Sequence, residues 1–345
     1  MTKHSAELEE TARALVADGR GILAADESTR TMTKRLDSID VESTEDSRLA
    51  FREMLFTTQG AADHISGVIL YDETIRQTSS EGPLIPKLLE DQGVIPGIKV
   101  DTGAKPLAGS PDETVTEGLD GLRERLEEYY ELGARFAKWR AVIKITEDLP
   151  SRYCIDVNAH ALARYAALCQ EQNIVPIVEP EVLMDGEHSI ERSFVVTRMA
   201  LHRVFVELCH QRIVFDEMLL KPNMVMPGYD SGAEASVDEV AERTLEVMYD
   251  TVPASVAGLV FLSGGQSDEL ATQHLQAMNA RGPHPWTLSF SYGRALQSPP
   301  LNIWRGEEDN VEAAKAAYLH RAKCNGAAAR AEYSSELEQE YSTAG

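Results

Sequence analysis

Eight short apolar or β-branched runs, each followed by a longer stretch of helical periodicity, divide the chain from end to end. They occupy residues 21–25, 66–71, 95–100, 136–141, 175–179, 218–222, 258–262 and 287–291. Short apolar runs between turn residues read as strands buried on both faces, and the stretches between them as the crossover helices that bury them. Leu119, Leu122, Leu126, Tyr129 and Leu132 form one such helical stripe, and Phe194, Val195, Met199, His202, Val206 and Cys209 form another after Ser189. Ser236 and Glu239 have the spacing of a capping box that opens a third helix through Val240, Leu245 and Met248. Eight strand–helix units require a parallel sheet, and eight is the count at which such a sheet closes around an interior just filled by side chains. The competing open, doubly wound sheet usually carries Gly-x-Gly-x-x-Gly after its first strand, whereas Gly21 here begins that strand. The expected fold is therefore α/β, a single-domain (β/α)8 TIM barrel. An extra N-terminal helix, the acidic amphipathic segment from Ser5 to Asp18, precedes the first strand; the barrel domain spans 1–333, and 334–345 form a short polar C-terminal tail. A length of 345 residues suits one such domain.

Charge narrows the function. The chain has 33 Lys and Arg against 56 Asp and Glu, a net charge of −23. With no basic block to offset it, so acidic a surface is repelled by nucleic acid and by anionic membranes. No apolar run is long enough to span a bilayer, and the start, Met1-Thr2-Lys3-His4-Ser5, lacks the apolar stretch of a signal peptide. The four cysteines are scattered, without a Cys-x-x-Cys pair. Nine histidines include no His-Glu-x-x-His and no His-x-His, and His202 and His210 are not spaced as a facial pair. These features predict a cytoplasmic protein with no metal and no cofactor.

What the strands carry near their C-terminal ends is more specific. In order these residues are Asp26, Lys99, Lys138 with Arg140, Glu179 with Glu181, Lys221, Ser263 and Arg294. Lys138 to Glu179 is 41 residues, Glu179 to Lys221 is 42, and Lys221 to Ser263 is 42. Equal repeats place such side chains at one height, which in a closed barrel is the top face where active sites form. One lysine at a strand end is ordinarily a solvated rim charge, and one Asp or Glu ordinarily caps a helix. Several charges of both signs embedded in apolar strands must instead pair with each other or with a ligand. Lys221 stands in Leu219-Leu220-Lys221-Pro222-Asn223-Met224. An amine among apolar residues and near another cation, here Lys138, is the kind that attacks a carbonyl. Glu179, on the strand between them, has the chemistry to dehydrate the resulting carbinolamine.

Two segments have the character of anion sites. Ser263-Gly264-Gly265-Gln266-Ser267 puts paired glycines where a strand turns into a helix, and Ser291-Tyr292-Gly293-Arg294 adds a guanidinium to a small turn. In barrels the loops after strands seven and eight favour phosphate. Lys34-Arg35 follows Asp26-Glu27-Ser28-Thr29 as a separate basic pair. Two anion sites around a carbonyl-reactive lysine imply a substrate phosphorylated at both ends.

Six segments resemble class I fructose-bisphosphate aldolase: Gly21-Ile22-Leu23-Ala24-Ala25-Asp26-Glu27-Ser28-Thr29, Phe136-Ala137-Lys138-Trp139-Arg140, Val178-Glu179-Pro180-Glu181, Leu219-Leu220-Lys221-Pro222-Asn223-Met224-Val225, Phe261-Leu262-Ser263-Gly264-Gly265-Gln266-Ser267 and Ser291-Tyr292-Gly293-Arg294-Ala295-Leu296. The resemblance implies a metal-independent lyase that reversibly cleaves fructose 1,6-bisphosphate into dihydroxyacetone phosphate and glyceraldehyde 3-phosphate. It implies that Lys221 forms the Schiff base, Glu179 shuttles protons and Asp26 takes the C4 hydroxyl proton. Lys138 would assist electrostatically, and Glu181 and Arg140 would hold the charged network. Ser263, Gly264, Gly265, Ser291, Gly293 and Arg294 would bind the ketose-end phosphate, and Ser28, Thr31, Arg35 and Lys99 the distal one. A homotetramer is also implied. A related reading is another lysine-dependent barrel aldolase or a transaldolase acting on singly phosphorylated sugars. Three departures stand out. Arg30-Thr31 replaces the usual Gly-Ser, Tyr71-Asp72-Glu73 replaces Phe-His-Glu, and the chain stops at Gly345, four residues after Tyr341, where many members end in a tyrosine that assists proton transfer at C3.

Overall fold

The computed structural model describes residues 5–342. Eight parallel strands close into a barrel. Around it run β1 (Gly21–Ala25), β10 (Thr287–Tyr292), β9 (Gly258–Phe261), β8 (Leu219–Leu220), β7 (Val175–Val182), β6 (Phe136–Ile143), β3 (Ile95–Lys99) and β2 (Ile65–Leu70). All eight coincide with the apolar runs of the sequence. The hairpin β4 (Ala104–Leu107) and β5 (Ser110–Thr116) is additional. Its residues are mostly polar, so its pairing left no apolar signature; Gly109 supplies the left-handed turn with φ 79°.

The crossover elements include α2 (Thr29–Asp37), α3 (Glu45–Phe56), α4 (Asp72–Ile75), α5 (Ile85–Asp91), α6 (Leu122–Glu131), α7 (Arg152–Glu171), α8 (Ile190–His210), α9 (Val237–Thr251), α10 (Asp268–Asn279), α11 (Arg294–Trp304) and α12 (Val311–Ala329). Their apolar faces and the outward side chains of the strands share one large core, which includes Leu23, Leu70, Trp139, Val178, Leu220, Phe261 and Phe290. A second, smaller core fills the barrel itself with Ile22, Ala24, Ile69, Phe136, Val175, Ile177, Leu219 and Val260. The N-terminal helix α1 (Ser5–Leu15) joins that inner core through Leu8, Ala12 and Leu15 and so plugs the barrel. The Phe136 ring occupies space that a Cβ at Gly97 would enter, approaching to 2.3 Å. Glycine there is a packing requirement, not a turn signal.

With one end of the interior apolar and plugged, buried polar groups gather at the other. The expectation of equal heights holds only in part. Parallel register sets Arg140 opposite Glu179 and Lys138 opposite Ile177, while the Lys221 amide bonds to the Val178 carbonyl at 2.8 Å. Glu179 and Lys221 are thus level, and Lys138 lies one inward layer lower. Closing the sheet tilts and staggers its strands, so equal sequence intervals do not translate into equal heights.

The segment expected as a polar tail contains α13 (Ser335–Ser342). Its Glu338 accepts from Arg321 Nη1 at 2.6 Å and from the Tyr333 hydroxyl at 2.8 Å. The Tyr341 side chain lies outside the described residues, as do residues 1–4 and 343–345.

Candidate active site

Lys221 follows directly on β8, and Pro222, with no N–H to donate, ends the ladder behind it. Its side chain is 5% exposed and its Nζ lies 3.1 Å from Glu179 Oε1. The other carboxylate oxygen of Glu179 is 3.4 Å from Lys138 Nζ, which also contacts Asp26 Oδ2 at 2.7 Å. Lys221, Glu179, Lys138 and Asp26 therefore form a buried row of alternating sign across β8, β7, β6 and β1. Alternation is what makes the burial tolerable, since each charge has an opposite neighbour.

The row acts on its own ionisation. Burial alone would push the Asp26 carboxyl up, but Lys138, then Lys221 and Lys99, hold it well below the usual carboxylate range. Burial likewise opposes the charge on Lys138, yet Asp26, Glu179 and Asp101 raise its pKa above that of an ordinary lysine. Asp26 is an anion and Lys138 a cation across the whole neutral range. Arg140, level with Glu179, reaches Glu181 on the next inward layer through an Nε–Oε2 contact, which outweighs burial to raise the guanidinium pKa.

These groups line one cavity of about 1000 Å³. On one flank stand Ser263 and Gly264 from the loop after β9, Ser291 near the end of β10, and Gly293 with Arg294 where α11 begins. The Ser291 hydroxyl is buried without a partner among the described residues. Gly265, next to Gly264, is not among the residues lining the cavity. A Cβ on it would lie 3.0 Å from Arg294 Nη2, so its bareness makes room for that guanidinium.

On the other flank stand Ser28, Thr31, Arg35 and Lys99. The Ser28 side chain caps α2 by accepting from the Thr31 amide at 3.4 Å, so the helix N-terminus opens beside the cavity. Arg35 Nη1 is 2.7 Å from Glu27 Oε1, and Lys99 Nζ is 2.6 Å from Asp101 Oδ1. Sequence reasoning assigned no role to Glu27 or Asp101, although both lie within two residues of a predicted site residue. Arg52 on α3 and Gln297 on α11 escaped it altogether. Arg52 donates to the Glu27 carbonyl at 2.7 Å, and Gln297 donates to Ala24 O at 2.6 Å and to Glu27 Oε1 at 2.8 Å. Helix residues far away in the chain carry no local signal that they brace a strand end. At the departure 71–73, Asp72 accepts from Arg76 and from the Tyr129 hydroxyl, and Glu73 accepts from Arg48 at 2.6 and 2.9 Å. Nothing in the structure explains Arg30.

A profile described as fructose-bisphosphate aldolase class-I matches residues 7–344. The chain belongs to the class I fructose-bisphosphate aldolase family. A probable fructose-bisphosphate aldolase class 1 of Xylella fastidiosa is 56% identical over 324 residues, covering 94% of this chain and 97% of that protein. The Dictyostelium discoideum fructose-bisphosphate aldolase is 50% identical over 338 residues, 97% of this chain and 95% of the relative. A cytosolic fructose-bisphosphate aldolase of Arabidopsis thaliana is 51% identical over 321 residues, 93% of this chain and 82% of the relative. Among solved structures, the Plasmodium falciparum aldolase in complex with TRAP and a small-molecule inhibitor superposes with a TM-score of 0.95 at 47% identity, covering 97% of each chain. Membership makes the chain an aldolase of the metal-independent class. Among the described residues no helix is long and apolar enough to cross a membrane. One group of metal-capable side chains, His320, Cys324 and Glu338, does assemble within 4.8 Å, but between α12 and α13 and with its carboxylate already bound to Arg321.

Proposed function

We propose that this aldolase cleaves fructose 1,6-bisphosphate through an imine on Lys221. The observation that carries the assignment is the 3.1 Å separation of Lys221 Nζ and Glu179 Oε1 inside the alternating row. Lys221 passes a proton to Glu179, and the amine so freed adds to the ketose C2 carbonyl. Glu179 then delivers a proton to the carbinolamine hydroxyl, which leaves as water and gives the protonated imine. Asp26 takes the C4 hydroxyl proton as the C3–C4 bond breaks. The bonding pair flows into the imine and leaves an enamine, while the aldehyde departs as glyceraldehyde 3-phosphate. Solvent supplies a proton to C3 and Asp26 returns its proton to solvent, after which hydrolysis of the imine releases dihydroxyacetone phosphate and restores Lys221. Lys138, held between Asp26 and Glu179, stabilises whichever carboxylate is charged at each step. Arg140, level with Glu179, and Glu181, one layer above, brace the row. Ser263, Gly264, Ser291, Gly293 and Arg294 take the ketose-end phosphate, with Gly265 giving Arg294 its space. Ser28, Thr31, Arg35 and Lys99 take the distal phosphate.

Borohydride added with the sugar bisphosphate tests this reading: reduction should fix the ketose on Lys221, seen by mass spectrometry of the peptide. No adduct, or loss of cleavage in the presence of EDTA, would refute it. We further propose a cytoplasmic homo-oligomer, homotetrameric as the family resemblance implies. Val195 and Met199 on α8, which are 50% and 41% exposed, support self-association. Light scattering of the purified protein reads the subunit number.

A further inference from the structure

We propose that Glu27 and Asp101 are specificity-determining residues, built-in counter-anions that limit how much the second phosphate of a sugar bisphosphate adds to recognition. The inference rests on the assignment of Arg35 and Lys99 to the distal phosphate.

The two anion sites differ in a way that their cations alone do not reveal. At the ketose end, Arg294 is exposed and has no carboxylate partner among the described residues, so an arriving phosphate is its first counter-ion. At the distal end each cation is already paired. Arg35 is bound to Glu27 at 2.7 Å, and Lys99 to Asp101 at 2.6 Å, with a further bond from Lys99 Nζ to the Asp101 carbonyl at 2.7 Å.

Neither carboxylate is free to swing aside. Glu27 is held at its side chain by Gln297 at 2.8 Å and at its carbonyl by Arg52 at 2.7 Å. Its second oxygen is buried without a hydrogen-bond partner. Asp101 Oδ1 accepts from the Gly103 amide at 3.1 Å, and Oδ2 from the Arg140 amide at 3.3 Å. A distal phosphate therefore arrives beside two fixed negative charges in a partly dry site, where repulsion is weakly screened. It exchanges one anionic partner for another instead of neutralising a bare cation. A sugar without that phosphate leaves the internal pairs intact and orphans nothing. The arrangement makes the ketose-end phosphate indispensable and the distal one a modest contributor.

The test is the ratio of kcat/KM for fructose 1,6-bisphosphate to kcat/KM for fructose 1-phosphate in the unaltered protein, Glu27→Gln and Asp101→Asn. Each substitution keeps an acceptor and removes the charge. The ratio should rise about tenfold in each variant, mainly through a lower KM for the bisphosphate; tenfold corresponds to about 1.4 kcal/mol. A purely structural role would depress both substrates together and leave the ratio where it was. An unchanged or smaller ratio in both variants overturns the inference, and a rise in one variant alone confines the role to that residue. If the unaltered protein cleaves neither sugar, it is the functional reading that fails.

Discussion

Replacing Lys138 with methionine removes the one cation that, among the described residues, touches both Asp26 and Glu179, at 2.7 and 3.4 Å, while nearly conserving volume. The ammonium side chain is 4% exposed and that of Asp26 13%, so water replaces little of the lost interaction. Breaking a buried pair by deleting one partner costs about 3–5 kcal/mol, because the remaining charge stays buried alone. Two consequences separate this account from simple loss of packing. In the unaltered protein the Asp26 pKa is depressed. Its stabilising contribution is therefore complete above the ordinary aspartate value and is lost only as the pH falls through the lower folded value. In the variant, burial acts on Asp26 with its main counter-charge gone, so its folded pKa rises. Acidification then stabilises the variant as Asp26 takes up a proton. The stability gap should thus be widest near pH 7 and narrow towards pH 4.5. Urea unfolding at both values, followed by circular dichroism, measures the gap, and steady-state cleavage should fall by at least about a hundredfold. A gap under about 1 kcal/mol, or one equal at the two pH values, would refute the alternating-row account.

Other outcomes follow from the packing. Gly97→Ala drives a Cβ into the Phe136 ring at 2.3 Å and should destabilise by about 1–3 kcal/mol. Combining it with Phe136→Leu should recover part of that loss in thermal unfolding, and no recovery would mean the clash is relieved elsewhere. Glu338→Gln should loosen α13 from Arg321, whose side chain is 3% exposed, and speed amide exchange in the Ser335–Ser342 helix. The Glu338 pKa is drawn down to about 2: burial opposes this, but His320, Arg321 and Tyr333 prevail. This contact stabilises fully above the ordinary glutamate value and weakens as the pH drops towards 2. Unchanged exchange in Glu338→Gln would show that Leu337 and its apolar neighbours suffice to hold the helix.

The eight strands were legible because a strand buried on both faces must be apolar along its length, and that is visible without neighbours. Asp26, Glu179 and Lys221 were legible because charge in such a run is costly and therefore conspicuous. What Gly265 does for Arg294 was not legible, since the space a glycine leaves matters only through what occupies it. The β4–β5 hairpin stayed hidden because solvated strands need no apolar pattern. So did Glu27, Asp101, Arg52 and Gln297, whose meaning comes from atoms up to 273 positions away, as between Gln297 and Ala24. The order of apolar and polar residues thus determined by itself that a closed barrel would form and which strand ends would bear charge. Which cation meets which carboxylate was decided only by the stagger of the closed sheet and the helices packed around it, because pairing depends on distances of a few ångströms that chain spacing does not encode.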